Sequence, residues 1–123
     1  MDAPHLPRQV PIDAHGGGGF RFGGMSHRGS LLCLPEGIWA WPVAAPEAID
    51  DEALSMVFAR AGNLDFFILG TGAVLRPLSE RLRLRFREAH ISADAMATAP
   101  ALHTYNVMLM ENRRVGAGLI AAG

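Results

Sequence analysis

Lysine is absent from this 123-residue chain, whose basic side chains, histidine aside, are eleven arginines. That absence excludes a Schiff base on lysine and the phosphate-binding lysine of a Walker-type loop. Cysteine is nearly absent as well. Cys33 alone cannot form an internal disulfide or a cysteine-based metal cluster, and it fits a reducing compartment. No apolar run reaches the roughly 18 residues of a membrane-spanning helix. The start, Met1-Asp2-Ala3-Pro4, lacks the basic residues and apolar core of an export signal. Net charge is −1, so no overall field draws nucleic acid or an acidic membrane surface. His5, His15, His27, His90 and His103 show no metal-ligand spacing, and neither a metal nor a cofactor is expected. No Gly-x-Ser-x-Gly elbow occurs, and no catalytic residue is assigned.

What remains is the composition of one compact domain. Half the residues are apolar and 19% are charged, which places the chain outside the disordered class. Residues 1–9, with Pro4 and Pro7, read as a flexible N-terminal arm or a segment draped over the surface. Residues 10–123 read as a single α/β domain. Its first third is strand material punctuated by glycine turns: Phe20-Arg21-Phe22, Ser30 to Leu34, and Ile38 to Trp41. The four glycines Gly16 to Gly19 read as a hairpin connection.

From residue 50 onward strands and helices alternate. Asp50 is a candidate N-cap for a helix over 51–61, with Leu54, Val57, Phe58 and Ala61 as its buried stripe. Leu64 to Leu69 is apolar on both faces, as a central parallel strand requires. A second helix is expected over 78–89 with Leu75, Leu78, Leu82, Phe86 and Ala89 inward. A short strand follows over 91–96, then a third helix over 99–111 capped by Thr98, and a closing strand over 115–121. The pattern predicts an α/β sheet with the β-rich beginning as a second layer.

Two polar clusters stand out. Gly70-Thr71-Gly72 follows the apolar strand directly, where a strand-to-helix turn leaves backbone N–H groups for an anion or polar ligand. The alternative is a tight turn with no ligand. Thr104-Tyr105-Asn106 is a poor choice for a helix by propensity alone. It either ties the helix to neighbouring loops or lines a pocket together with the glycine turn. Arg81, Arg83, Arg85 and Arg87 form two i,i+4 pairs of like charge. They read as a solvated face or as a docking surface for an acidic protein partner. Aromatic residues do not interleave with them, which argues against nucleic acid. Of the adjacent Arg113 and Arg114, one is expected to face inward, with Glu111 a local candidate partner, and the other outward.

The succession Gly-Gly-Phe-Arg-Phe (18–22), Gly-Ser-Leu-Leu (29–32), Trp41 after a Pro-x-Gly turn, Leu-Gly-Thr-Gly (69–72) and Thr-Tyr-Asn-Val followed by Glu-x-Arg-Arg-Val (104–107, 111–115) resembles a small-domain family. That family, of unknown molecular function, includes the mitochondrial NADH:ubiquinone oxidoreductase (respiratory complex I) assembly factor 3 and an adipogenesis-associated protein with an Mth-like domain. The resemblance covers roughly residues 10 to 121. It implies a three-layer α/β domain with a central mixed sheet, and no established catalytic residues. It also implies a non-enzymatic accessory role in assembly or stabilisation of a membrane-associated complex such as respiratory complex I, with complex subunits as partners. The alternative is a small-molecule-binding domain, or an enzyme, with a pocket at the Gly-Thr-Gly turn. Without a mitochondrial presequence the chain resembles a bacterial cytoplasmic member, peripheral to the inner membrane through partners. His103 stands where an arginine or small residue is expected, so no charge role is carried to that position.

Overall fold

The computed structural model describes residues 3–122; Met1, Asp2 and Gly123 lie outside it, and with them the first two residues of the expected arm. Three short strands, β1 (Ala14–Gly16), β2 (Gly19–Phe22) and β3 (Met25–Arg28), form an antiparallel meander. The main sheet has five strands: β4 (Ser30–Leu34), β5 (Gly37–Trp41), β6 (Phe66–Gly70), β7 (Ser92–Met96) and β8 (Val115–Leu119). Their order is β5-β4-β8-β6-β7, with β6 parallel to both neighbours and β4 antiparallel to both of its own. Helices α1 (Ser55–Ala59), α2 (Glu80–Glu88) and α3 (Thr98–Met110) complete the domain.

Side-chain alternation sorts the core into two faces. Leu32, Leu34, Trp39, Trp41, Phe67 and Leu69 pack with Leu82 and Phe86 of α2 and with Val57 of α1. Leu31, Cys33, Ile38 and Ile68 point the other way, against Ala101 and Tyr105 of α3 and Phe20 and Phe22 of β2. Helices thus flank a central mixed sheet, and the N-terminal β layer shares one face with α3. The both-faces-apolar strand lies between β8 and β7 with Phe67 fully buried, as its composition requires.

Helix ends follow local chemistry. Ser79 caps α2 by accepting from the Leu82 amide at 3.2 Å. Both long helices finish without glycine: His90 and Asn112 take the left-handed conformation, with φ of 59° and 60°. The Ile91 amide reaches Phe86 O at 3.0 Å and the Arg113 amide reaches Met108 O at 3.1 Å, so each helix closes in the same 6→1 motif.

Four expectations need correction. Of the β-rich beginning expected as a second layer, only β1–β3 form one; β4 and β5 join the main sheet, where β4 pairs with β8. The helix anticipated over 51–61 is only the five residues of α1, with single 3-10 turns at Pro46–Ala48 and Ala61–Asn63 beside it. Asp50 does accept from the Ala53 amide at 2.8 Å, but the residues between mix i+3 and i+4 bonds. The Trp41 indole also takes Ala53 O at 2.9 Å, competing for a carbonyl that a regular helix would use. Leu75, assigned to the buried stripe of α2, precedes the helix and is 53% exposed. Thr98 is not a cap: Ala97 holds that position, and the Thr98 side chain turns into the core.

Candidate functional site

The Gly70-Thr71-Gly72 turn is closed by its own neighbours. The Thr71 amide donates to Met96 O at 2.8 Å, and the Gly72 amide donates to Thr98 Oγ1 at 2.9 Å. These are the N–H groups that a bound anion would need. The Thr98 hydroxyl in turn donates a hydrogen bond to Ile120 O at 2.7 Å, linking three segments through one buried oxygen. The Thr71 hydroxyl lies 2.7 Å from Val74 O and 3.1 Å from Met96 O, and accepts from the Arg76 amide at 3.0 Å. Gly72 adopts φ +97°, which accounts for glycine there. The expected geometry differs because α2 does not follow the turn directly: residues 71–79 intervene, and the helix that docks on the turn is α3, through Thr98.

Thr104, Tyr105 and Asn106 do a different job. Tyr105 is fully buried, and its hydroxyl donates to Val10 O at 3.0 Å. Asn106 accepts from the Ile12 amide at 2.9 Å and donates to Ile12 O at 2.8 Å, replacing a strand partner for that residue. The Thr104 hydroxyl rests 3.5 Å from Met96 Sδ. A cavity of about 220 Å³ reaches the turn, lined by Pro46, Glu47, Leu69, Thr71, Arg76 and Leu82 among others. Of the six residues singled out in the two clusters, Thr71 alone lines it. The cavity opens on the α2 face, whereas Tyr105 belongs to the α3 face.

The arginines of α2 divide into two pairs. Arg81 bonds Asp51, while Arg85 lies 3.7 Å from the same carboxylate and 4.5 Å over the Phe58 ring. Arg83 and Arg87 form no ion pair among the described residues; Arg83 only reaches Leu78 O at 3.4 Å. These two line a groove of about 480 Å³ between α2 and strand β7. Near the C-terminus both arginines are exposed, which corrects the inward–outward division. Arg113 bonds Glu111 at 2.9 Å, and Arg114 makes a bidentate pair with Asp65 at 2.7 and 3.1 Å. That fork holds the Asp65 carboxyl below the usual carboxylate range. Strands β6 and β8 start here on the surface, so neither arginine has an interior to turn into.

Burial pushes the Cys33 thiol up to about 12, which removes thiolate character. Burial likewise raises the Tyr105 phenol. Among the described residues no group of three His, Cys, Asp or Glu gathers as a metal would need. His103 is exposed on α3.

The features missed in the sequence are Thr98 as the lock of the turn and β7 as an open edge. Alternation in Ser92-Ala93-Asp94-Ala95-Met96, polar against small apolar, was the available signal for the second.

A mixed five-stranded sheet backed by a meander, with its glycine turn locked by a helix threonine, defines a small single α/β domain of a distinct class. A family model described as "Protein of unknown function (DUF498/DUF598)" matches residues 12–120, and the chain belongs to this family. An uncharacterized protein of Rhodobacter capsulatus is 38% identical over 117 residues, covering 95% of this chain and 89% of that one. The NADH dehydrogenase (ubiquinone) 1 alpha subcomplex assembly factor 3 of Rattus norvegicus is 27% identical over 115 residues. That match covers 94% of this chain, which spans 62% of the rat protein's length. Among solved structures, one from Bartonella henselae described as an outer membrane protein is 43% identical, with a TM-score of 0.93. It covers 97% of this chain and 100% of its own. No helix among the described residues is long and apolar enough to cross a membrane.

Proposed function

We propose that this protein is a non-enzymatic accessory factor that assists assembly or stabilisation of a membrane-associated complex, with respiratory complex I as the first candidate. One observation carries this reading: similarity to a protein named as a complex I assembly factor runs along 94% of the chain. The local chemistry supports it. The hydroxyls of Thr71 and Thr98 are engaged internally, the Cys33 thiol is sealed in the core, and charge is presented on a helix surface at Arg81, Arg83, Arg85 and Arg87. In this reading the protein works in the bacterial cytoplasm and meets the inner membrane through its partners. The test is a deletion strain combined with affinity capture from native extract. Loss of assembled complex I and recovery of its subunits are expected. Unchanged complex I together with recovery of the bait alone overturns the proposal. Fractionation checks the location, since recovery with the outer membrane, as the Bartonella protein's description states of that relative, contradicts it.

A second reading, a small-molecule site or enzyme pocket at the Gly-Thr-Gly turn, rests on the cavity where Thr71, Arg76 and Glu47 meet. At about 220 Å³ it falls below the roughly 300 Å³ at which ordinary ligand pockets begin, leaving room for a small anion or carboxylate. Thermal-shift screening with phosphates, nucleotides and small carboxylates decides this. Stabilisation that disappears in Arg76→Ala supports it, and no shift with any compound removes it.

A further inference from the structure

Strand β7 is the last strand of the main sheet on its side. The Ser92 amide donates to Asp65 O at 2.8 Å and Met96 O accepts from the Thr71 amide at 2.8 Å, so residues 92, 94 and 96 turn their backbone groups toward β6. In a parallel ladder the alternate residues then face away, which leaves the N–H and C=O groups of Ala93 and Ala95 directed outward. Beside this edge runs the groove of about 480 Å³, floored by Leu78, Phe86 and Ile91 and walled by Leu75, Arg83 and Arg87. An unpaired edge next to an apolar floor is a template for one more strand.

Charge selects the occupant. On the α2 side of the edge, Ala93 and Ala95 pack toward the core; the groove is lined by two cationic side chains, Arg83 and Arg87, and by one acidic residue, Asp94 of the strand itself. On the opposite side the alternation places the Asp94 side chain, exposed and without an ion pair among the described residues. Antiparallel pairing of two copies through β7 sets four arginines together on one face and two aspartates on the other. Like charges on both faces disfavour a second copy.

We propose that β7 takes an extended segment of another protein as a sixth strand. Its side chains facing α2 alternate apolar and acidic residues, and its opposite face is neutral or basic. This rests on the accessory-protein reading above and names the partner chemistry for the Arg83/Arg87 half of its arginine surface. Ala93 and Ala95 supply main-chain hydrogen bonds, Leu75 and Leu78 receive an apolar side chain, and Arg83 and Arg87 receive carboxylates.

The probe is a random-peptide display library selected on the intact protein, with each binder remeasured on variants. Enriched peptides should carry acidic residues four positions apart with an apolar residue midway between them, and neutral or basic residues at the intervening positions. Their affinity should fall at least about tenfold for Arg83→Glu/Arg87→Glu, whose side chains are exposed in the free protein. Ala95→Pro, which removes an outward N–H, should abolish binding. Protection of the Ala93 and Ala95 amides in the complex gives a readout that does not depend on either variant folding. Selection that yields no binder, binders without acidic bias, or binding indifferent to the arginine reversal overturns the proposal. So does dimerisation of the protein lost on Ala95→Pro, since the occupant is then a second copy. If complex I subunits are captured equally by wild type and both variants, the accessory reading stands and the edge site falls. If edge peptides bind while complex I is unchanged by deletion, the reverse holds.

Discussion

At one edge of the main sheet, β5 is shielded by the N-terminal segment. The Ile38 amide donates to Leu6 O at 2.9 Å, and Ile38 O accepts from the His5 amide at 2.8 Å. Further along, Gln9 reaches Val115 O at 2.6 Å, and Tyr105 and Asn106 hold Val10 and Ile12. At the other edge, β7 has no such cover among the described residues. An unpaired strand edge invites association, and proteins ordinarily cover or blunt it. Here one edge is covered at Ile38 by His5 and Leu6, on a segment tied down further along by two helix side chains. The other combines an open ladder with two arginines that form no ion pair among the described residues. The contrast teaches that the polar residues of α3 hold the closed edge, and that the open edge is where a partner's backbone fits.

The largest expected effect comes from breaking the tether of the closed edge. Asn106→Leu leaves the amide and carbonyl of Ile12 unpaired at a position only 1% exposed. Two unsatisfied backbone groups cost about 2–4 kcal/mol, measured as a lower denaturation midpoint in urea. A loss under about 1 kcal/mol would show that water replaces the amide and that the tether is not needed.

A smaller effect follows from prising the cover off the edge itself. A Cβ on Gly37 would sit 2.6 Å from Leu6 O and 3.0 Å from Pro4 Cβ, so space excludes a side chain there. Gly37→Ala should lose about 1–2 kcal/mol and speed hydrogen exchange at Ile38 while leaving exchange at Phe67 slow. Unchanged exchange at Ile38 would mean that the segment does not protect β5. Tyr105→Phe comes next, at about 1 kcal/mol, since it removes the hydroxyl that bonds Val10 O while keeping the ring.

Much of this arrangement was readable in the residues. The run Phe66 to Leu69 announces a strand buried on both faces, and the spacing of Leu82 and Phe86 announces the inward stripe of α2. Long-range satisfaction was not readable. Asn106 and Ile12 are 94 positions apart, and nothing local in either says that an amide side chain stands in for a missing strand. The glycine turn misled for a related reason. A Gly-x-Gly after a strand suggests free N–H groups, but whether they stay free depends on which helix docks there. Thr98 answers that from 26 residues away. The division of the α2 arginines was equally hidden, because Asp51 lies 30 residues before Arg81.

That division yields the smallest and most discriminating expectation. Arg85 has company in the free protein, with Phe58 4.5 Å beneath its guanidinium and Asp51 at 3.7 Å. Arg85→Gln should therefore lose about 0.5 kcal/mol. Arg87 has Arg83 one turn away and no carboxylate paired with it among the described residues, so its charge costs the free fold a little. Arg87→Gln removes that repulsion and should gain a few tenths of a kcal/mol, roughly 0.2–0.5. The two variants alter neighbouring positions on one helix with the same chemistry, so opposite signs isolate the surroundings as the cause. Raising the salt concentration should shrink both differences, because each is an interaction between exposed groups. Equal losses for the two would show that Arg87 is engaged within the free protein. The open edge would then lack the unspent charge that sets it apart from the closed one.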